Sequence, residues 1–95
     1  MPFSVKLCSD KAAFEVRMQR KVSFNMNKVR QLFEAGHDLE ILVYTPHMII
    51  LRSARAETTL SKNGRMLIKR VANEAEATQV AHMILRTALT AAFKP

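Results

Sequence analysis

The chain has 95 residues, of which 48% are apolar, and its 15 lysines and arginines against 8 acids give a formal net charge of +7. This length predicts one domain over residues 1–95, and the positive charge favours a polyanionic partner, although such a charge also serves solubility. The single cysteine, Cys8, excludes an internal disulfide framework, and we therefore expect a cytoplasmic protein. No apolar run reaches the ~20 residues of a membrane-spanning helix, so the protein is not expected to enter a membrane.

Alternating apolar residues predict two strands at the beginning of the chain. The alternation is short in the segment FSVKL and longer from residue 13 onward. The apolar side of this second segment carries Phe14, Val16, Met18, Val22 and Phe24. Because successive side chains of a strand point to opposite faces, residues 13–24 are expected to form one long strand with a buried face and a wet face.

The apolar period changes to that of a helix after residue 24. Met26, Val29 and Phe33 share one side of this helix. Asn25 is expected to cap its beginning, and Gly36 to take the left-handed conformation just past its end. Two short apolar runs follow, over residues 39–44 and 47–53, and the proline between them favours a bend, so both are predicted strands.

The segment Lys62-Asn63-Gly64 is the strongest local signal in the sequence. It separates the runs AETTLS and RMLIKRV. Asn-Gly tolerates positive φ, which tight hairpins require. The sequence therefore predicts a hairpin that places Lys62 and Arg65 at its tip.

The last predicted element is a helix over residues 74–92, capped by Asn73. Its apolar stripe is rich in alanine, which allows a close approach to the sheet. The fold class is then α+β: a short extra strand, then strand, helix, four antiparallel strands and helix. Both helices must cover the same face of the sheet, because otherwise no core exists. The opposite face is expected to stay open and to carry the function.

In the order of these elements, the sequence resembles one repeat of the TATA-box-binding protein family. The segment NGRMLIKRVANEAEA looks like the hairpin and helix start of the family, and YTPHMIILR is similar to its proline-containing strand entry, which closes on an arginine, here Arg52. The resemblance implies a curved antiparallel sheet. Family members carry two repeats fused into a saddle that lies in the minor groove. The resemblance therefore implies a homodimer in which the strand at residues 13–24 pairs with its counterpart.

The chain departs from the family where the family kinks DNA. The aromatic wedges of the family fall at Ser61 and near Thr45 or Pro46. A glycine of its hairpin strand falls at Arg70, and a threonine that faces DNA falls at Lys69. Sharp bending of a TATA sequence is therefore not expected.

The open face is expected to be polar and basic, and to bind nucleic acid without sequence preference. Its predicted members are Glu15, Arg17, Gln19, Lys21, Ser23, Thr59, Ser61, Leu67 and Lys69. Cationic side chains on such a face would contact phosphates, which carry no sequence information. The predicted nucleic-acid-binding residues are Arg17, Gln19, Lys21, Lys62, Arg65 and Lys69.

Catalysis, metal binding and a cofactor are not expected. His37, His47 and His82 lack metal-ligand spacing, and no pair of acids has a context for general acid-base work. The methionines outside the first residue are expected to fill the core. Two alternatives stay open: a module that binds another protein through the sheet face or an edge strand, and an enzyme subunit or small-ligand binder with a deep apolar pocket between the first helix and the sheet. A merely solvated charged face is a third interpretation of the same residues.

Overall fold

The computed structural model describes residues 3–7, 13–36 and 38–93, which form an α+β fold with one antiparallel sheet and two helices. The strands are β1 (Phe3–Leu7), β2 (Ala13–Met18), β3 (Glu40–Tyr44), β4 (Met48–Ser53), β5 (Ala56–Ser61) and β6 (Met66–Lys69). Their order across the sheet is β1-β2-β6-β5-β4-β3. The helices are α1 (Met26–Ala35) and α2 (Glu74–Ala88), and a 3-10 turn, Leu89–Ala91, follows α2. The predicted α+β class is confirmed.

Both helices lie over one face of the sheet and share one core. α1 packs against β3 and β4, α2 packs against β1, β2 and β6, and the helices contact each other. The largest fully buried side chains are Val16, Phe24, Val29, Ile49, Leu51, Thr58, Leu60, Met66, Ile68, Ile84 and Leu85. Ala77, Ala81 and Ala88 of α2 are fully buried as well, as a closely packed helix requires. No described element covers the other face of the sheet.

Asparagine caps both helices, as predicted. The side chain of Asn25 accepts a hydrogen bond from the amide of Lys28 at 3.2 Å, and that of Asn73 accepts one from Glu76 at 2.9 Å. The prediction for Gly36 is wrong: its φ of −82° and ψ of 163° are extended. The chain leaves α1 in an extended conformation, so no left-handed residue is needed there. Within the described part of the chain, neither helix has the length and apolar character to cross a membrane.

The second strand is shorter than the predicted range of residues 13–24. β6 is only four residues long and pairs with β2 from Ala13 to Val16, and the last two residues of β2 pair with β1 alone, up to Met18 opposite Phe3. Beyond Met18 the chain leaves the ladder and turns beside the β5–β6 hairpin. The amide of Phe24 then donates to the carbonyl of Lys62 at 2.9 Å, and Phe24 forms an isolated bridge with Ala92.

The outer edge of β2 is occupied. β1 pairs with it in antiparallel register from Phe3 opposite Met18 to Leu7 opposite Phe14. The predicted homodimer through the strand at 13–24 needs this edge, so a second copy would have to displace β1. At the other margin of the sheet, β3 carries a register shift between Ile41 and Val43.

The hairpin tip is a three-residue loop with one left-handed residue. The amide of Ser61 donates to the carbonyl of Arg65 at 2.8 Å, and Gly64 has a φ of 90°. Two left-handed residues at Asn63-Gly64 are therefore not required, because a three-residue loop needs only the last one. Two other residues take positive φ: Ala54 (52°), in the two-residue β4–β5 turn, and Arg70 (62°), directly after β6.

Candidate nucleic-acid interface

Two cross-strand rows run over the uncovered face of the sheet. The charged row consists of Lys69, Glu57, Arg52 and Glu40, which lie opposite one another on β6, β5, β4 and β3. The apolar row, two residues further along the strands, consists of Leu67, Thr59, Ile50 and Val43. The charged row lies next to the β4–β5 turn, and the β5–β6 hairpin tip lies at the opposite end of the sheet.

The charges of the charged row alternate, and three of the four form ion pairs within the described residues. Arg52 forms an ion pair with Glu40, and Glu57 is 3.2 Å from Nε of Arg70. Lys69 lies opposite Glu57 in the ladder. Between β6 and β3 the open face therefore carries both signs of charge, where the sequence predicts a polar and basic surface.

Positive charge is concentrated at the hairpin end of the sheet. This basic end consists of Arg17, Arg20, Lys21, Lys62 and Arg65. A cleft of about 410 Å³ is lined by all of these except Lys62, together with Gln19 and Glu15. Lys62 lines an adjoining cleft of about 550 Å³ with His47 and Ser61, and Asn63 lines both clefts.

The close approach of two backbone segments builds the basic end. The loop after β2 runs beside the hairpin tip, and a Cβ atom added at Gly64 would lie 3.0 Å from the carbonyl oxygen of Val22. Real Cβ atoms rarely come so close to oxygen, so the missing side chain of Gly64 lets the loop reach the tip. The hydrogen bond from Phe24 to Lys62 closes the same contact. As a result, Arg20 and Lys21 lie beside the hairpin residues.

Among the described residues, Glu15 is the one carboxylate that lines the cleft of about 410 Å³ at the basic end. Its Oε1 is 2.5 Å from Nε of Arg17, and its Oε2 is 4.0 Å from Nη2 of Arg65. The hydrogen bond from Arg17 is the largest cause that holds the pKa of Glu15 below its ordinary value of 4.5, against the opposing effect of desolvation. The charges of Arg17, Arg65 and Lys6 lower this pKa further. Glu15 is therefore an anion at neutral pH and positions two arginines.

The other three cations of the basic end are exposed and are not held by a carboxylate of the described residues. Arg20, Lys21 and Lys62 have no ion pair with any carboxylate in the described ranges. Their charges are therefore available to an incoming anion at little desolvation cost.

The structure brings together five of the six predicted site residues and leaves one apart. Arg17, Gln19, Lys21 and Arg65 line one cleft, and Lys62 lines the next. Lys69 lies at the other end of β6, four strand residues or about 13 Å from Arg65. Lys21 reaches the basic end from a loop, not from the expected strand.

Arg20 is the member of the basic end that the sequence-based site did not include. The sequence does single out Arg20, because it is the one residue that interrupts the apolar side of the alternation over residues 13–24. That interruption indicates where the chain leaves the sheet.

The other candidates from the sequence are the histidines and the methionines. His82 stacks edge-on against Phe3, with ring centroids 5.0 Å apart, and His37 lies outside the described residues. In the described part of the chain, no group of three His, Cys, Asp or Glu side chains is placed to hold a metal ion. Met48, predicted to fill the core, instead lies half-buried on the uncovered face, because its neighbour Ile49 takes the core side of β4.

Comparison of the chain with known protein families, with curated proteins and with solved structures finds no match. The resemblance to a repeat of the TATA-box-binding protein family therefore stays a prediction, which rests on the quoted segments and on the order of the elements along the chain.

Proposed function

We propose that this domain is a non-enzymatic nucleic-acid-binding module that contacts phosphates through its basic end, with low sequence specificity. The observation that carries the proposal is the convergence of five cations on one end of the sheet, where the lining of the described clefts contributes one carboxylate. Three of these cations are unpaired in the described structure, which favours a polyanion over a small neutral ligand.

Low specificity follows from the kinds of side chain at the basic end. Exposed lysine and arginine side chains bind phosphate oxygens, which are the same at every base. The family positions that would kink a duplex hold Ser61 and the Thr45-Pro46 pair, and none of these is a large apolar wedge. The domain is expected to bind without strong bending.

We also propose that the chain is a single-repeat relative of the TATA-box-binding protein family. Supporting this, the elements after β1 follow the family order, and Arg70 takes a left-handed φ of 62° at a place where the family has glycine. The extra strand β1 distinguishes this chain, because it lies where the first strand of a family repeat meets its counterpart. A dimer built as in the family would require β1 to move.

Fluorescence anisotropy with labelled single-stranded DNA, duplex DNA and RNA tests the proposed function. The wild-type affinity for duplex is expected to fall with salt, with a slope of log K against log[salt] of about −3 to −4 for about four phosphate contacts. The double variant Arg20→Ala/Lys21→Ala removes two unpaired cations of the basic end. Its slope is expected to be shallower by about 2 units.

A matched control removes two cations from the opposite end of the sheet. Arg55→Ala/Lys69→Ala has the same net charge as the first double variant, and it is expected to bind almost as the wild type does. Equal losses in both variants would show that net charge, and not the basic end, attracts the polyanion. Millimolar or salt-insensitive binding by the wild type would reject nucleic-acid binding altogether.

The second candidate function is binding to another protein chain through the uncovered face. It is favoured by the apolar row, in which Val43 is 43% exposed and its three neighbours are half-buried. A complex recovered from cell extract that survives nuclease and high salt would favour this function over the first.

A further inference from the structure

We propose that the uncovered face between β6 and β3 is an interface with a second copy of this chain. The charged row carries the signs plus, minus, plus and minus across β6, β5, β4 and β3. An alternating row with an even number of charges is complementary to its own reverse. Two copies can therefore face each other with every charge of the row opposite its counterpart of the other sign.

The two-fold axis that produces this match lies between the two sheets and runs parallel to the strands, midway between β4 and β5. Rotation about it reverses the strand order and keeps each row at its own height. Lys69 then lies opposite the partner's Glu40, and Glu57 lies opposite the partner's Arg52. Each contact occurs twice, because the interface of a two-fold dimer uses the same patch on both copies.

The same rotation brings the apolar rows together. Leu67 then lies opposite the partner's Val43, and Thr59 lies opposite the partner's Ile50. Aligned sheets pack about 10 Å apart with interdigitating side chains, a spacing that these medium-sized residues can fill. The apolar row lies inside the face, and the charged row lies at its margin beside the β4–β5 turn. The arrangement has the apolar centre and charged rim of a specific protein interface.

A second copy fits this face better than either other class of occupant. Nucleic acid carries one sign of charge, so the alternating row offers it no net attraction. An unrelated protein would need the same spacing of signs by coincidence, whereas another copy of this chain carries it by construction.

The dimer is expected to be weak. Four strands at about 4.8 Å and five residues at about 3.4 Å give a footprint of roughly 300 Å² on each sheet, or about 600 Å² for both, which is smaller than the roughly 1,200 Å² of stable specific interfaces. β1 and β2 extend beyond these four strands, so Arg17 and its neighbours stay accessible. Because the axis is parallel to the strands, both basic ends lie at the same end of the dimer. The dimer is independent of nucleic-acid binding and compatible with it.

Sedimentation velocity of four samples tests the interface: wild type, Glu57→Arg, Arg52→Glu, and an equal mixture of the two variants. The wild type is expected to show reversible dimerisation between about 1 and 500 µM. In each variant alone, two like-charge contacts oppose pairing, and dimerisation is expected to weaken at least about tenfold. In the mixture every facing pair is again of opposite sign, so heterodimers should form within about threefold of the wild-type affinity.

Recovery of dimerisation in the mixture shows that the single variants lost an interface contact and not their fold, since mixing two misfolded variants would not restore a dimer. Lys69→Glu and Glu40→Lys provide a second complementary pair at the other contact if either first variant unfolds. A mixture that stays monomeric in both pairs would overturn the proposal. So would a wild type that stays monomeric over the whole concentration range.

A charge placed in the apolar row tests the centre of the interface. Ile50→Lys is expected to abolish the dimer, because its side chain lies next to the two-fold axis. Leu7→Lys is the matched control, since Leu7 is 58% exposed and lies on β1, outside the four strands. Circular dichroism verifies that both variants are folded. Equal weakening by both variants would overturn the assignment of the face.

Discussion

Replacing Glu15 by glutamine is expected to tighten nucleic-acid binding, although it removes an ion pair. The carboxylate is held by Arg17 at 2.5 Å and lies within 4.0 Å of Arg65. Neutralising this carboxylate raises the net charge of the basic end from four to five. A unit charge about 8 Å from a phosphate contributes about 0.5 kcal/mol in a water-like medium, or about 2-fold in affinity for one phosphate.

A bound duplex would present several phosphates at comparable distances, so about threefold tighter binding is expected at about 20 mM salt. The lost ion pair opposes this gain by no more than about 0.5 kcal/mol, because Arg17 is largely exposed and exposed pairs contribute little. Anisotropy with a labelled duplex measures the change, and the gain should shrink at about 200 mM salt as screening increases. Unchanged or weaker binding by Glu15→Gln at low salt would refute the role given to the basic end.

Further predictions concern stability, each measured by urea or thermal unfolding. Ala54→Gly is expected to raise the free energy of unfolding by about 1 kcal/mol, because φ is positive there, and a lower value would refute the backbone argument. Thr58→Val should also stabilise by about 1 kcal/mol, since the buried hydroxyl has no hydrogen-bond partner in the described structure; destabilisation would indicate a partner. Gly64→Ala should cost about 2 kcal/mol, because its Cβ would meet Val22 at a left-handed φ, and a neutral effect would contradict that contact. The lowered pKa of Glu15 means that its charge stabilises the fold above pH 4.5, and that this contribution is lost as pH falls through the folded-state pKa. Glu15→Gln should not show this loss of stability. Parallel curves of unfolding free energy against pH for the variant and the wild type would therefore contradict the prediction.

The element types were predictable because their signals are local. Asn25, Asn73 and the Lys62-Asn63-Gly64 turn act within a few residues, and each lies where its pattern predicts a cap or a turn. The α+β class follows from these signals and from the need to bury one face of the sheet.

The end of β2 and its partner on the outer edge were not predictable in the same way. β2 pairs with the short β6 only as far as Val16 and with β1 as far as Met18, and its outer edge is filled because β1 folds back on it. Both facts depend on which segments meet in space. The wrong strand length placed Lys21 on the sheet, although the loop still brings it to the basic end.

The composition of the uncovered face was misjudged for a related reason. Its basic members were identified on β2 and β6, whereas β3 and β5 contribute the carboxylates Glu40 and Glu57, and β3 and β4 contribute apolar side chains, to the same surface. The alternating signs become visible only when residues 40, 52, 57 and 69 are placed side by side. These four residues are far apart along the chain, so the alternation of their charges is not visible in the sequence.

The pairing of β1 with β2 also protects the sheet from edge-to-edge aggregation. One margin of the sheet is closed by a short strand with an exposed lysine, and the other margin, β3, is bent by its register shift. Long straight margins recruit further chains into fibrils, and neither margin here is long or straight. Loss of the first seven residues would uncover a backbone ladder that the intact chain keeps out of reach of its neighbours, and turbidity on storage would be its first sign.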